Sequence, residues 1–227
     1  MNHTIPLRPF ATLKLITLAV LALALLLLNA CRWVGVKGDG DITTEQRTIT
    51  EFTTIEADGA FEINWTTGPA AFSITTDRNL LEYLRTRIAG DTLRIEWIKP
   101  LKGTRGIKIN ATGASLRRAE LSGAVRFVAS NLSGPEFYLQ ADGATRVALN
   151  GNVNAMSAEM NGASRLDADT LVTRAIDLSI SGAGRAEVHA TEILKVAISG
   201  AGKVIYSGNP KTVDKDVSGA GSIKPRD

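Results

Sequence analysis

The chain contains 227 residues, with 26 lysines and arginines, 23 aspartates and glutamates, two histidines and one cysteine. Arg8 and Lys14 lie in an N-terminal segment with the features of an export signal, and without them 24 basic residues face 23 acidic ones, a net charge of +1. This balance argues against a nucleic-acid partner, because proteins that bind nucleic acids concentrate an excess of basic residues on one face. His3 leaves with the same segment, so His189 is the one histidine left, and we expect no catalytic triad, metal site or cofactor.

Residues 1–30 are predicted to form a lipoprotein signal peptide. Arg8 and Lys14 precede an apolar run from Leu15 to Leu28 that only Thr17 interrupts. A charged start followed by a short apolar core is typical of a secretory signal. A membrane-spanning helix is the alternative, but it needs about 18 apolar residues, and this run has 14.

The run ends in Leu28-Asn29-Ala30-Cys31, which resembles the lipobox of bacterial lipoproteins. Cys31 is the only cysteine, so it cannot form a disulfide within one chain, and we expect it to be acylated and to become the new N-terminus. Residues 31–40 then form a lipidated tether that holds the protein on a membrane without crossing it. By resemblance to the sorting rule of Gram-negative lipoproteins, Arg32 favours the outer membrane, facing the periplasm or the exterior.

Residues 41–227 are predicted to form one all-β domain with an irregular N-terminal half. Strands are predicted there at Arg47 to Ile55, Phe61 to Trp65, Phe72 to Thr76 and Thr92 to Trp97. The exception is Asn79 to Ile88, where four apolar residues fall on one helical face and Asp77 is placed to cap the start. We expect this short helix to close one end of the fold, since the outer strands of a repetitive sheet need protection.

From residue 122 onward, a triplet of a small polar residue, glycine and alanine recurs. The copies are Ser122-Gly123-Ala124, Asp142-Gly143-Ala144, Asn161-Gly162-Ala163, Ser181-Gly182-Ala183, Ser199-Gly200-Ala201 and Ser218-Gly219-Ala220. Their glycines lie 20, 19, 20, 18 and 19 residues apart, a fixed period that indicates a solenoid. An earlier copy, Asp58-Gly59-Ala60, lies in the less regular half.

The repeats, aligned on the glycine, show two apolar columns. Two residues before it stand Leu121, Ala141, Met160, Ile180, Ile198 and Val217, and four residues after it Phe127, Val147, Leu166, Ala186, Val204 and Ile223. Alternation on both sides of the turn predicts strands, and the recurring glycine argues against a helix. Each repeat of about 19 residues makes an extended path of roughly 60 Å, one turn of a small coil. The sequence therefore predicts a right-handed parallel β-helix, with a β-sandwich of hairpins as the alternative.

The Gly-Ala corners are interpreted as structural. Glycine tolerates the positive φ of a tight turn, and alanine is small enough for closely stacked coils. The Gly-x-Gly within Ser181-Gly182-Ala183-Gly184 is not a nucleotide fingerprint, because it lacks the third glycine and the following helix that cradle a phosphate.

Several segments, taken in order, resemble a known family. They are Gly38-Asp39-Gly40-Asp41-Ile42, Thr44-Glu45-Gln46-Arg47, Phe52-Thr53-Thr54-Ile55, Asn79-Leu80-Leu81, Leu93-Arg94-Ile95 and the Ser-Gly-Ala-Gly repeats. Together they resemble the head GIN domain family, described as auto-transporter adhesins and often found as exported lipoproteins, over roughly Asp39 to Ile223. The resemblance implies a β-helical fold and an envelope location, and it supplies no catalytic residues.

Five successive repeats place a cation three residues after the glycine, and the sixth has Ser222. These cations are Arg126, Arg146, Arg165, Arg185 and Lys203. If coils stack about 4.8 Å apart, they form a basic stripe roughly 20 Å long. One interpretation is a solvated face that Asp167 and Glu187, two residues further along their strands, neutralise. The other is a surface that recognises an anionic partner such as an acidic glycan, lipid head groups or an acidic protein patch.

Three functions fit the sequence. The leading hypothesis is a lipid-anchored envelope binding or adhesion module without catalytic activity, with the membrane as one partner through Cys31 and an anionic glycan or envelope protein as another. The second is a carbohydrate-active β-helix enzyme, which needs two carboxyl groups about 5–10 Å apart over one groove. Its candidate carboxylates are Asp142, Asp167, Asp169, Asp177 and Glu187. The third is a purely structural envelope protein. Trp65 and Trp97 are expected to be core or rim residues and not sugar platforms.

Overall fold

The computed structural model describes residues 35–102 and 106–226; Cys31 and the predicted signal peptide lie outside these ranges. The N-terminal half of the described chain contains β1 (Val36–Lys37), β2 (Ile42–Gln46), β3 (Thr54–Gly59), β4 (Glu62–Thr67), β5 (Ala71–Asp77), β6 (Leu84–Ala89), β7 (Thr92–Trp97), β8 (Leu101–Lys102) and β9 (Lys108–Gly113). The repeats contain β10 (Arg118–Gly123), β11 (Arg126–Gly143), β12 (Arg146–Gly162), β13 (Arg165–Gly182), β14 (Arg185–Gly200), β15 (Lys203–Ser207), β16 (Thr212–Gly219) and β17 (Ser222–Pro225).

The repeats form a parallel β-solenoid of about five turns. Each strand pairs in parallel with its equivalent one coil further on, so that Gly143 lies beside Gly123 and beside Gly162. The same register continues through β14 to β16 and from β15 to β17. The predicted all-β solenoid with coils of about 19 residues is confirmed, and the hairpin sandwich does not describe the repeats.

The corner glycines are required both by backbone conformation and by space. The six repeat glycines have φ between +84° and +122°. A Cβ atom on Gly182 would lie 2.6 Å from the carbonyl oxygen of Gly162 in the neighbouring coil, and the same clash recurs at the other corners. Because the obstacle is backbone that is itself paired in register, it cannot move aside. The corners therefore have the structural role that the sequence predicts.

The two apolar columns point into the solenoid and form its core. Ten of their twelve members, in the coils from Leu121 to Val204, are at most 3% exposed. Burying one Leu, Ile, Val or Phe side chain contributes about 1.5–3 kcal/mol. Stacking the same apolar position in every coil therefore repeats this contribution along the whole solenoid.

The residue after each corner alanine also points inward. Ser164 is buried there, and its hydroxyl donates to the carbonyls of Ala141 at 3.2 Å and Asn161 at 3.1 Å. Gly184 takes this position one coil later, where a Cβ atom would lie 2.9 Å from the Cγ2 atom of Ile180. The second glycine of the Gly-x-Gly motif thus makes room for a core side chain.

The N-terminal half extends both faces of the solenoid. On one face β10 pairs with β3 and β3 with β7, and the antiparallel β6 is the outer strand. On the other face β11 pairs with β4 and β4 with β9, followed by the antiparallel β5 and β2. Side chains from both halves pack into one core, which includes Ile55, Ile63 and Trp65. β1 and β8 form a separate two-stranded parallel ladder.

The helix predicted at Asn79 to Ile88 is shorter than expected and of another type. A 3-10 helix spans Arg78–Tyr83, and the residues after it form β6, which pairs antiparallel with β7. Asp77 occupies the N-cap position as expected, but its carboxylate forms no capping hydrogen bond and accepts one from the Gly40 N–H at 2.7 Å. The 3-10 helix connects β5 to β6 and packs against β2, so it lies where the two faces end, as expected of a closing element.

The strand predicted at Arg47 to Ile55 begins only at Thr54. Arg47 follows β2, where its backbone N–H still donates to the Phe72 carbonyl at 3.1 Å, and its guanidinium donates to the carbonyls of Leu84 at 2.7 Å and Leu81 at 3.0 Å. Phe52 in this irregular stretch is nevertheless buried and belongs to the core. The other three strand predictions in this half are confirmed by β4, β5 and β7.

The outer strand at the C-terminal end carries a charge at an inward position. Lys215 of β16 lies beside Val196, in a column that is apolar in the coils before it. Its ammonium group lies 5.2 Å from the ring centroid of Tyr206. Val217, on the same strand, is 41% exposed. An inward-pointing charge on an edge strand opposes pairing with another edge.

Candidate functional site

The five cations of the predicted stripe open five successive strands. Arg126, Arg146, Arg165 and Arg185 are the first residues of β11 to β14, and Lys203 is the first residue of β15. Each directly follows a corner, and its backbone N–H donates to a carbonyl of the neighbouring coil, as Arg146 does to Val125 at 2.8 Å. The residues before and after each cation point inward, so all five cations point outward and are exposed. These five residues are called the basic ladder.

The ladder is continuous along the solenoid. Strand pairing places Arg126 beside Arg146, Arg146 beside Arg165, Arg165 beside Arg185 and Arg185 beside Lys203. Four steps of about 4.8 Å give a length of about 19 Å. The structure therefore brings all five predicted residues together in one column. Glu62 of β4 lies beside Arg126 at one end, and Ser222 of β17 lies beside Lys203 at the other.

The middle of the ladder has an internal counter-ion, Glu187. Its Oε1 atom lies 3.1 Å from an Nη atom of Arg185 and 3.8 Å from one of Arg165. Its Oε2 atom lies 2.7 Å from Arg226, whose other Nη atom lies 2.5 Å from Asp169. The Glu187 side chain is only 20% exposed, so water screens this network less than it screens an isolated surface pair.

Arg126 and Arg146, at the β11 end of the ladder, lack such a partner. Within residues 35–102 and 106–226, no carboxylate oxygen lies within 4.0 Å of the guanidinium nitrogens of Arg126 or Arg146. Glu62 is beside Arg126 in register but forms no ion pair with it. Asp167, the second carboxylate expected to neutralise the stripe, likewise forms none in this part of the chain. Two neighbouring arginines are therefore left with uncompensated charge.

A cavity of about 370 Å³ lies over this uncompensated end. Its lining includes the charged residues Arg126, Arg146, Arg165 and Asp167 and the apolar residues Val128 and Ala148. Ala148 lies between Val128 and Asp167 in register, and its short side chain leaves space for the cavity. Three guanidinium groups and one carboxylate give the lining a net charge of +2. Such a surface suits an anion, which arginine forks bind in bidentate geometry.

The carboxylates considered for glycoside hydrolysis do not converge on one groove. Asp142 accepts hydrogen bonds from Asn161 at 2.7 Å and Gln140 at 2.8 Å at the solenoid corner. Asp169 and Glu187 are held by Arg226, and Asp167 lies beside the ladder. Only Asp169 and Glu187 among the five candidates are brought together, and the guanidinium group of Arg226 lies between their carboxylates.

Asp177 lies elsewhere, in a groove of about 590 Å³ that crosses β3, β10 and β11 to β14. Two acids that the sequence did not single out, Asp91 and Glu136, line the same groove. The Thr53 hydroxyl donates to Asp91 at 2.5 Å and holds the pKa of that carboxyl below its ordinary value. A lowered pKa favours the ionised form of Asp91 and so disfavours it as a general acid.

A hydrogen-bonded cluster of Asp169, His189 and Ser207 was missed by sequence reasoning. The Ser207 hydroxyl lies 3.0 Å from Nδ1 of His189 and donates to Asp169 at 2.9 Å. In a catalytic triad the acid orients the histidine, whereas here the acid contacts the serine and Arg226. The cluster links three successive coils, through β13, β14 and β15. Its spacings of 20 and 18 residues match the repeat, and this was the signal that could have revealed it.

Trp65 and Trp97 occupy core and rim positions, as expected. Trp65 is 2% exposed, and Trp97 stacks on Phe61 with ring centroids 5.5 Å apart. In the described ranges, no group of three or more His, Cys, Asp or Glu side chains is arranged to hold a metal ion. The same ranges contain no helix with the length and apolar character that crossing a membrane requires.

Residues 51–210 match the family described as "Putative auto-transporter adhesin, head GIN domain". This match covers well over half of the chain and includes the first five corners of the solenoid and the whole basic ladder. No curated protein matches the chain at a significant level.

Solved structures of three bacterial proteins share the fold. A putative adhesin from Bacteroides fragilis has a TM-score of 0.68 at 20% identity, and the match covers 85% of this chain and 100% of that one. A putative adhesin from Parabacteroides merdae has a TM-score of 0.54 at 21% identity, covering 86% and 100% of the two chains. A putative lipid binding protein from Parabacteroides distasonis has a TM-score of 0.56 at 19% identity, covering 85% and 99%.

Proposed function

Because the chain belongs to the head GIN domain family, described as putative auto-transporter adhesins, we propose that it is a non-catalytic adhesion module of the bacterial cell envelope. Recognition is assigned to the basic ladder, and the partner is an anionic glycan or another anionic component of the envelope. The lipid on Cys31 anchors the protein to the outer membrane, and the tether of residues 31–40 joins the anchor to the solenoid.

The observation that carries the proposal is the uncompensated pair Arg126 and Arg146. Two like charges about 4 Å apart repel each other by about 1 kcal/mol in water and by more where solvent is partly excluded. The fold nevertheless places them side by side and gives them a cavity with a net charge of +2. An anion bound across both guanidinium groups removes this repulsion and gains charge-assisted hydrogen bonds.

The names of the similar structures are consistent with this proposal. Two are described as putative adhesins, and the putative lipid binding protein from Parabacteroides distasonis has the same fold. An anionic lipid head group and an acidic glycan both present carboxylate or phosphoryl oxygens to a guanidinium group, so they offer it the same chemistry. The proposal therefore rests on the charge of the partner.

A binding screen with a salt series tests the proposal. The purified chain is passed over immobilised acidic glycans, matched neutral glycans, and vesicles with and without anionic lipid. We expect retention on the anionic surfaces alone, with an affinity that falls as salt rises from about 0.05 to 0.5 M, because counter-ions screen exposed charges. Retention that is independent of salt, or equal on neutral and anionic surfaces, would reject the ladder as the binding surface. Absence of any ligand would favour a structural role, and cleavage of a glycan would favour an enzyme.

A further inference from the structure

We propose that Glu187 determines specificity at the basic ladder. It occupies the anion-binding positions of Arg165 and Arg185 and so confines recognition to one compact dianion, of the phosphate monoester type, held between Arg126 and Arg146. This inference rests on the proposed function and deepens it by naming the chemistry of the ligand.

Glu187 fills the middle of the ladder in the way an external anion would. One of its oxygens lies near both Arg185 and Arg165, and the other is held by Arg226 at 2.7 Å. Arg226 is itself fixed, since its backbone N–H donates to the Tyr206 carbonyl at 2.7 Å. An external anion would have to displace a carboxylate that is already in place on the same molecule.

The middle of the ladder and its Arg126–Arg146 end differ at a single repeated position, which is apolar again after Lys203, where Ile205 lies beside Glu187. Glu187 stands two residues after Arg185, and Asp167 stands two residues after Arg165. The same position is Ala148 after Arg146 and Val128 after Arg126, and strand register aligns all four. Alanine and valine offer no acceptor, so the donors of Arg126 and Arg146 stay available. The carboxylates of Asp167 and Glu187 repel any anion that extends further along the ladder.

The charge and size of the free pair match a phosphoryl group. A phosphate monoester carries about −1.5 to −2 at pH 7 and offers three acceptor oxygens, whereas a carboxylate carries −1 and offers two. Two guanidinium groups on strands about 4.8 Å apart can each bind such a group through two N–H donors. The net charge of +2 in the cavity lining equals the charge of one dianion.

The test compares a compact with an extended anion. Binding of inorganic phosphate and of linear polyphosphate of about ten units is measured by calorimetry on the purified full chain and on its Glu187→Gln variant. Freeing Arg165 and Arg185 should tighten polyphosphate binding by about five- to tenfold, the effect of two exposed ion pairs. Binding of inorganic phosphate should stay within twofold.

Glu192→Gln is the matched control. It makes the same charge change and breaks the exposed pair of Glu192 with Arg174 (3.0 Å), which lies away from the ladder. This variant should leave the binding of both ligands unchanged. Equal tightening of both ligands by Glu187→Gln, or no tightening of polyphosphate in a folded variant, would overturn the inference while leaving anion recognition by the ladder intact. Failure of the wild-type chain to bind both inorganic phosphate and polyphosphate would also overturn the inference, while the screen of acidic glycans and anionic vesicles would still decide the proposed function.

Two further ligands distinguish the source of the phosphoryl group. Glucose 6-phosphate presents it on a soluble sugar, and vesicles with phosphatidic acid present it on a membrane. Binding of both ligands supports recognition of the phosphoryl group itself. Binding of the sugar phosphate alone supports it too, and excludes a lipid as the source of the phosphoryl group. Binding of the vesicles alone would contradict it, because the bilayer and not the phosphoryl group would then be recognised.

Discussion

Replacing Gly182 with alanine adds one methyl group at a corner where the backbones of two coils approach closely. The backbone of Gly182 has a φ of +116°, and the new Cβ atom would lie 2.6 Å from the carbonyl oxygen of Gly162. It would also lie 3.2 Å from the Cα and N atoms of that glycine. All three are backbone atoms of a paired strand, so no side chain can rotate away to make room.

The expected loss of stability has two sources. Holding alanine in this backbone region costs about 1–3 kcal/mol. Forcing a methyl group against the paired backbone of the neighbouring coil costs about 1–3 kcal/mol more. The total of about 2–6 kcal/mol is a large share of the 5–15 kcal/mol typical of a folded domain.

Urea unfolding followed by tryptophan fluorescence measures this loss, since Trp65 is buried in the shared core. With a slope of about 2–3 kcal/mol per M, the midpoint should fall by about 1–2 M. Gly134→Ala is the matched control: its φ is +143°, but no atom lies within 4 Å of its added Cβ, so it bears only the conformational cost. Equal midpoints for the two variants would show that close approach of the coils does not constrain the corner.

Two further predictions concern the ends of the molecule. Cys31→Ser should abolish incorporation of a fatty-acid analogue and release the protein from membranes without changing its melting temperature, since residues 31–40 precede the strands of the main sheet; undiminished label would exclude the lipoprotein assignment. Lys215→Val should turn β16, which already carries the exposed Val217, into an apolar edge strand next to Val196 of β14, and light scattering should show association that the wild-type chain lacks at the same concentration. A variant that scatters like the wild-type chain would mean that Lys215 does not protect this edge.

The repeats could be predicted closely because their interactions are periodic. A glycine every 18 to 20 residues sets the corners, and alternation around it sets which side chains are buried. The same period is enough to align Arg126, Arg146, Arg165, Arg185 and Lys203 in one column. Residues one repeat apart therefore occupy equivalent positions in the sequence, and because the coils stack, these residues lie next to each other in the fold.

The N-terminal half could not be predicted in this way, because its pairings join segments that share no period. β3 lies between β7 and β10, and β4 lies between β9 and β11. The helical pattern at Asn79 to Ile88 was overridden where Leu84 and Ile88 paired with β7. Tertiary pairing thus decided what local propensity left open.

The charge balance of the ladder was only partly visible in the sequence. Glu187 was expected beside the ladder from its place two residues after Arg185, and it does pair there. Arg226 follows the last strand and has no equivalent in other repeats, so its contacts with Glu187 and Asp169 could not be inferred. The difference between the compensated middle of the ladder and its uncompensated Arg126–Arg146 end depends on Glu187, which stands where the earlier coils have Val128 and Ala148.

The most direct test of the central claim is the affinity of the double variant Arg126→Gln and Arg146→Gln for the anionic ligand that the wild-type chain retains best. Arg85→Gln with Arg87→Gln is the matched control, because it removes two exposed arginines from β6, outside the ladder. We predict that the ladder variant loses at least tenfold in affinity and most of its salt dependence, while the control keeps both. Equal affinities for the two double variants would contradict the assignment of the basic ladder as the binding surface.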